Sequence, residues 1–342
     1  MKIGVGIGLS YPKYTTFVNR GGGQTPPFHP SLVDYWNFKG KSNFDKDRNT
    51  IKGIKGEILT AYNFGWSLGS GYGLYGTDFR TQWNDTDASY GKIINSTIAH
   101  TDKVGSVLYV IAYSTLIVFA DNFKGRITGM PEGYSLYIGY ATNLYLVSST
   151  NGEWSINKAD IPYFVPEGSP ESDARYNGGF KIMKTGQFGG GAEVPADVTI
   201  ELIPEYQGAI VTDGVDDYLK LDKVGYKVGT VIIKYIPIPT VNRWQYVLDT
   251  QTERIFIGYV NKTSVENDKI VSSFTNIKDI GGYKVFKEGG IKNVSTPLFI
   301  GSNTNISEPL SMALYSIAIY DRVLSDQEVQ EVINFMNKEN ES

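Results

Sequence analysis

Cysteine is absent from the 342 residues, and histidine occurs only twice, as His29 and His100. The chain therefore has no disulfide framework, no thiol nucleophile and no cysteine-based zinc site. Two histidines also argue against a histidine-rich metal centre and against a histidine-dependent catalytic triad. These shortages remove several common enzyme classes before any motif is considered.

Long hydrophobic runs are missing as well. The most apolar internal stretch, Val107–Ala120, contains tyrosine and serine and is shorter than a bilayer-spanning helix. The apolar run at the start ends in Tyr-Pro-Lys without a small-residue cleavage site, so we expect no signal peptide. A net charge of −4 without a lysine or arginine block argues against phosphate-driven nucleic-acid binding. We expect neither a membrane nor a nucleic acid as partner.

The residues that are plentiful favour β-structure. The chain has 38 glycines and 24 tyrosines, together with many β-branched residues. Short strand-like runs alternate with turn signals from about residue 92 to 205, with no helical pattern between them. This alternation predicts an all-β chain with antiparallel sandwiches.

One helix is predicted, at the C-terminal end. Ser325 is a suitable N-cap, and Glu328 three residues later completes a capping box. Leu324 and Val329 are placed to form a hydrophobic staple. One apolar stripe at helical spacing is expected to lie on a sheet, and it comprises Val329, Val332, Ile333 and Met336.

Three motifs resemble one family. They are "GAIVTDGVDDYLKL" at 208–221, "TPLFIGS" at 296–302 and "ALYSIAIYDRVLSDQEVQEV" at 313–332. Together they are similar to the concanavalin A-like, laminin-G-type jelly roll, which closes with a short helix. The matches cover about 208–338, and the resemblance implies a jelly-roll sandwich.

An early strand of such a module is displaced. The family's opening "WnF" strand corresponds to "LVDYWNF" at 32–38, far upstream of the acidic turn. The resemblance therefore implies one discontinuous jelly roll, built from 31–90 plus 207–340. A smaller β-sandwich at 91–206 interrupts it. Such an insertion is tolerated because lengthening a loop adds little to the entropy cost of closing it. Residues 1–30, rich in glycine and proline, form a predicted N-terminal docking arm.

The whole arrangement resembles virion structural proteins of Bacteroidetes phages, in which a short leader precedes an interrupted module. This resemblance implies a non-enzymatic head fibre, decoration protein or tail fibre component, located in the virion. It implies contact with other virion proteins through the arm, host glycans as further partners, and a homo-oligomer, with a trimer favoured. The alternatives are a stand-alone carbohydrate-binding adhesin and a polysaccharide depolymerase.

The "TDGVDDY" turn has two interpretations. Gly214 permits a positive φ, and aspartates cap nearby backbone N–H groups, which explains the motif as a sandwich corner. Family members often hold calcium on the sandwich rim, so Asp213, Asp216 and Asp217 are candidate ligands. Calcium needs six or more oxygens, which this stretch cannot supply alone. The segment Asn84–Asp87 is a second oxygen-rich loop.

The carboxylates do not favour hydrolysis. Glycoside hydrolases need two carboxylates that face each other across a sugar. The jelly-roll glucanases place them on one strand in a Glu-x-Asp pattern, and the sequence contains no such stretch. We expect no enzyme activity and assign no catalytic residues.

Sugar binding requires less: aromatic surfaces and a few polar groups. The candidates, all placed in predicted loops, are Trp66, Tyr72, Tyr75, Trp83, Trp154 and Trp244. The alternative for each is a position in the core of a sandwich, which we expect for Trp36.

Overall fold

The computed structural model describes residues 26–66, 69–76, 79, 91–105, 122–140, 143–160, 180–186, 194–238, 245–251, 257–260 and 269–341. Within these residues the chain forms 22 strands, two short 3-10 helices (His29–Ser31 and Lys158–Asp160) and one α-helix.

The first strands are β1 (Leu32–Asn37), β2 (Thr50–Lys52), β3 (Ile58–Tyr62) and β4 (Gly71–Tyr72). The middle of the chain forms β5 (Lys92–Asn95), β6 (Ile98–Val104), β7 (Asn122–Thr128), β8 (Tyr134–Tyr140), β9 (Asn143–Ser148), β10 (Gly152–Asn157), β11 (Phe180–Lys184) and β12 (Val194–Ile203). The remainder forms β13 (Ile210–Asp213), β14 (Tyr218–Leu221), β15 (Tyr226–Pro237), β16 (Gln245–Thr250), β17 (Ile257–Val260), β18 (Lys269–Ser272), β19 (Asn276–Ile280), β20 (Tyr283–Val294), β21 (Leu298–Ile300), β22 (Ser311–Tyr320) and the helix α1 (Asp326–Glu341).

Two seven-stranded antiparallel sheets form the larger sandwich. The back sheet has the order β19-β20-β15-β22-β13-β4, and β1 also pairs with β22. The front sheet has the order β18-β17-β16-β21-β14-β3-β2. Successive residues of β22 alternate between the two faces of the back sheet. Ile317 and Ile319 belong to the core shared with the front sheet, whereas Ala318 and Tyr320 pack with α1.

The larger sandwich combines strands from distant parts of the chain. Trp36 of β1 pairs with Ile317 of β22, and Ala61 of β3 pairs with Leu219 of β14. Trp36 is fully buried in the same hydrophobic core as Leu219 and Ile317. Residues 32–72 and 210–320 therefore share two sheets and one interior.

A second sandwich forms between these two segments. The sheet β10-β7-β12-β6-β5 and the sheet β11-β8-β9 enclose a separate core that includes Ile127, Leu136, Trp154 and Phe180. The chain leaves the larger sandwich near Leu74 and returns to it near Glu205. These two points are adjacent, since the backbone N–H of Glu205 donates to the carbonyl of Leu74 at 2.7 Å.

The C-terminal helix begins as the sequence predicts. Glu328 N–H donates to Ser325 Oγ at 3.2 Å, and Ser325 N–H donates to Glu328 Oε2 at 2.8 Å, which completes the capping box. The side chains of the predicted apolar stripe are buried against the back sheet, and they are Val329, Val332, Ile333 and Met336.

A predominantly β chain that ends in a short helix is thus confirmed. The jelly-roll connectivity, the docking arm and the three-part division of the chain stay predictions. Residues 1–25 of the arm and the whole apolar run 107–120 lie outside the described residues. No helix in the described ranges is both long and apolar enough to cross a membrane.

Candidate functional site

The acidic turn joins β13 to β14 and is held by its own carboxylates. Gly214 has a φ of 74°, which favours glycine at this position. Asp213 Oδ1 accepts from Val215 N–H at 2.7 Å. Asp217 Oδ2 accepts from Asp213 N–H at 2.9 Å, which ties the end of the turn to its beginning. These hydrogen bonds account for two of the three aspartates as turn caps.

Asp217 is the buried member of the turn, with no solvent exposure. Burial raises the pKa of this carboxyl to about 7, because the charged form loses its hydration. The hydrogen bond from Asp213 N–H opposes the rise in pKa, and the nearby Asp213 and Asp216 charges add to it. Near neutral pH the Asp217 carboxyl is therefore partly protonated.

The same turn brings three carboxylates together. One oxygen from each of Asp213, Asp216 and Asp217 lies within 4.8 Å of the others. Calcium takes six to eight oxygen ligands, so the cluster supplies only part of a coordination shell. Two of these carboxylates already accept backbone N–H groups. The geometry agrees with a sandwich corner, and calcium binding stays a prediction.

A loop after β3 connects this corner to a neighbouring cleft. Asn63 Nδ2 donates to the backbone carbonyl of Asp216 at 3.0 Å, and Gly65 N–H donates to Ser70 Oγ at 2.9 Å. Asn63 and Trp66 have φ values of 68° and 54°, in the left-handed region that non-glycine residues rarely adopt. Such backbone strain concentrates at functional sites.

The cleft is open and has a volume of about 520 Å³, within the range of small-ligand sites. It lies between the loop that joins β1 to β2 and the loop that follows β3. Its lining combines aromatic, cationic and hydrogen-bonding side chains, and consists of Phe44, Asp45, Lys46, Arg48, Asn49 and Trp66.

The Trp66 wall of the cleft is an ordered stack. The ring centroids of Phe64 and Tyr72 lie 5.1 and 5.4 Å from that of Trp66. The Arg48 guanidinium carbon lies 5.6 Å from the Trp66 ring centroid, in a cation–π contact. Tyr72 Oη also donates to the Arg48 carbonyl at 2.7 Å. Ring packing and hydrogen bonding together fix this side of the cleft.

Asn43 ties the loop between β1 and β2 to strand β4. Its Oδ1 accepts from Tyr72 N–H at 2.6 Å, and its Nδ2 donates to the Tyr72 carbonyl at 3.3 Å. Arg48 Nη1 donates to the Asn43 carbonyl at 2.8 Å. Because buried Asn43 bonds the Tyr72 backbone through its side chain and the Arg48 guanidinium through its carbonyl, the cleft is formed before any ligand arrives.

The predicted aromatic candidates fall in different environments. Trp66 is half-buried and lines the cleft, and Tyr75 is half-buried against the second core. The expected loop exposure is wrong for Tyr72 and Trp154, which are 4% and 5% exposed. Tyr72 lies on β4 behind Trp66, and Trp154 alternates with Ile156 on the inner face of β10.

The other predicted positions lie beyond the described part of the chain: Trp83, Trp244 and the segment Asn84–Asp87. Sequence reasoning missed the rest of the cleft, including Phe44 and Arg48. The only signal was the mixture of phenylalanine with charges in "SNFDKDRN" at 42–49, which is also typical of a solvated turn.

A second aromatic cluster lies on the outer face of the front sheet. The ring centroids of Tyr62 and Tyr218 are 4.9 Å apart, and those of Tyr218 and Phe299 are 5.6 Å apart. These rings stack across neighbouring strands, so much of their surface contacts the other rings of the cluster.

Comparisons with models of known protein families, with curated proteins and with solved structures find no match to this chain. The function is therefore inferred from the residues of the chain itself.

Proposed function

We propose that the chain is a non-enzymatic virion structural protein, a head fibre, decoration protein or tail fibre component, which attaches to a glycan or protein ligand. The proposal includes a laminin-G-like jelly roll interrupted by the second sandwich. The observation that carries it is the shared interior of residues 32–72 and 210–320. A discontinuous module of this kind is what the sequence resemblance to phage structural proteins implies.

The cleft beside Trp66 is the proposed attachment site. It has the size of a ligand site, and hydrogen bonds that Asn43 accepts from Tyr72 N–H and Arg48 Nη1 hold its walls in place. Preformed walls favour binding because less conformational entropy is lost when the ligand arrives. The described carboxylates at the corner serve as turn caps, in agreement with attachment rather than hydrolysis.

The proposal assigns the N-terminal arm to contacts with other virion proteins. It also includes a homo-oligomer, with a trimer as the favoured state. Several copies of one cleft on a particle raise the apparent affinity for a repetitive surface, because each further contact becomes intramolecular. A weak single site is sufficient for attachment under these conditions.

Immunogold electron microscopy of purified particles tests the proposal. An antibody raised against the recombinant chain is expected to label intact particles at the capsid or the tail, and serum pre-absorbed with the chain is the control. Label on cell surfaces but not on particles would instead indicate the stand-alone adhesin. The virion role is rejected if neither purified particles nor their denatured proteins react.

A further inference from the structure

We propose that the cleft between Phe44 and Trp66 binds a carboxylate-bearing sugar residue, such as a uronic acid of an acidic polysaccharide. This inference rests on the proposed attachment function and specifies the ligand of that site. It is carried by the combination of unpaired cations, exposed aromatic surface and hydrogen-bonding groups in one preformed cleft.

The cations of the cleft have no carboxylate partner within the described ranges. Arg48 and Lys46 are both exposed, and no carboxylate of the described residues pairs with either one. Two acidic groups lie nearby: Asp45 also lines the cleft, and Asp47 is exposed. Asp45 Oδ2 accepts from Ser42 N–H at 2.9 Å, and Asp47 lies 4.0 Å from Lys41 Nζ. The lining carries two cations, Lys46 and Arg48, against the one carboxylate of Asp45, and this net positive charge favours an anion in a chain whose net charge is −4.

The Arg48 guanidinium is oriented before a ligand binds. It lies over the Trp66 ring, and Nη1 donates to the Asn43 carbonyl. Arginine presents five N–H donors in a planar fork, so donors remain for a ligand. A planar fork matches the two oxygens of a carboxylate better than the point charge of a lysine does. The fixed guanidinium therefore favours an anion with two coplanar oxygens.

The remaining lining suits the ring and hydroxyl groups of a sugar. Phe44 is 46% exposed and offers apolar surface to the C–H face of a pyranose ring. Asn49 and Asp45 border the cleft, and their side chains can bond hydroxyl groups. The left-handed backbone at Trp66 is maintained by the packing around it, and it places the indole in the cleft wall.

Isothermal titration calorimetry with matched ligands tests the inference. The probes are oligogalacturonate and oligoglucuronate, each compared with its methyl ester, which keeps the sugar but removes the charge. The full chain is expected to bind at least one acid about ten-fold or more tightly than its ester, because hydrogen bonds to charged groups are the stronger ones. Raising the salt concentration is expected to weaken binding of the acid and not of the ester.

Three arginine variants locate the effect. Arg48→Gln is expected to weaken binding of the acid about ten-fold or more, and Arg48→Lys to give an intermediate loss. Arg126→Gln is the matched control, because Arg126 is an exposed arginine of the second sandwich that pairs with Glu153 at 2.6 Å. It is expected to leave the affinity unchanged. Thermal unfolding of each variant verifies that the fold is intact.

Several outcomes would overturn the inference. They are equal affinity for acid and ester, unchanged affinity in a folded Arg48→Gln variant, and no binding of any uronate by the full chain. Specific capture of a nucleic acid or peptide at the cleft would also overturn it. Particle labelling decides the virion role separately, so failure here and failure of the proposed function are distinguishable.

Discussion

Trp36 and Ile317 lie directly opposite each other on β1 and β22, although the entire second sandwich separates them in the sequence. Both side chains are fully buried in one core. The Trp36 indole N–H also donates to the Glu57 carbonyl at 3.0 Å, which fixes the turn before β3. The early segment is therefore part of the interior of the larger sandwich.

Replacing Trp36 with alanine is expected to lower the free energy of unfolding by about 3–5 kcal/mol, because it removes a large buried side chain and leaves a cavity. Urea denaturation followed by far-UV circular dichroism measures this change. Ile58→Ala on β3 is the control, since Ile58 is 46% exposed, and it is expected to change stability far less. Equal effects of the two substitutions would place Trp36 outside the core.

Replacing Asp217 with asparagine is expected to change the dependence of stability on pH. Burial raises the pKa of Asp217 from 3.8 to about 7, so the folded state binds the proton more tightly than the unfolded state does. The resulting stabilisation is complete below about pH 4 and is lost as the pH rises through about 7. Asparagine removes this titration while its amide oxygen can still accept from Asp213 N–H.

The size of the effect follows from linkage. Between pH 5 and pH 8 the wild-type chain is expected to lose on the order of 2 kcal/mol more stability than Asp217→Asn, at 1.36 kcal/mol per unit of pKa shift. Urea denaturation at several pH values measures the difference. Asp102→Asn, at an exposed carboxylate of the second sandwich, is the control and is expected to follow the wild type. Parallel pH curves for Asp217→Asn and the wild type would contradict the raised pKa.

Calcium is expected to have little effect on stability if the acidic turn is only a corner. The melting temperature should then be the same in 1 mM calcium and in a chelator. A site with a dissociation constant of about 10 μM would add about 2.7 kcal/mol at that concentration, which a thermal scan detects easily. A stabilisation of this size that Asp213→Asn abolishes would establish a metal site and contradict the corner interpretation.

Replacing Ser325 with alanine is expected to cost about 1 kcal/mol, because the N-cap hydroxyl accepts from Glu328 N–H. Gln330→Ala, on the exposed side of the same helix, is the control and is expected to have a smaller effect. Thermal unfolding compares the two variants. A larger loss for Gln330→Ala would mean that the cap does not stabilise the docked helix.

Features that depend on local sequence were predictable. The alternation of apolar and polar residues indicated strands, and Ser325 with Glu328 located the start of α1. The corner interpretation of the acidic turn follows from a local turn signal, Gly214 and its neighbouring aspartates, whereas the same residues leave the calcium interpretation open.

Features that depend on distant contacts were not predictable in the same way. Arg48 and Trp66 belong to different loops, and only the folded sheets bring them together in the cleft. The loop position predicted for Trp154 is wrong, because its alternation with Ile156 is the pattern of an inward-facing strand residue. A charged loop and a ligand site have similar composition, so composition alone could not identify the cleft.

The unfolding behaviour of a shortened chain tests the central claim most directly, namely that the two distant segments form one self-sufficient sandwich. In this variant, residues 76–203 are replaced by a short Gly-Ser linker, which the proximity of Leu74 and Glu205 allows. We predict a soluble β-protein that unfolds in one cooperative transition and loses stability when Trp36 is replaced with alanine. A shortened chain that unfolds without cooperativity, or that is insensitive to Trp36→Ala, would contradict the shared interior.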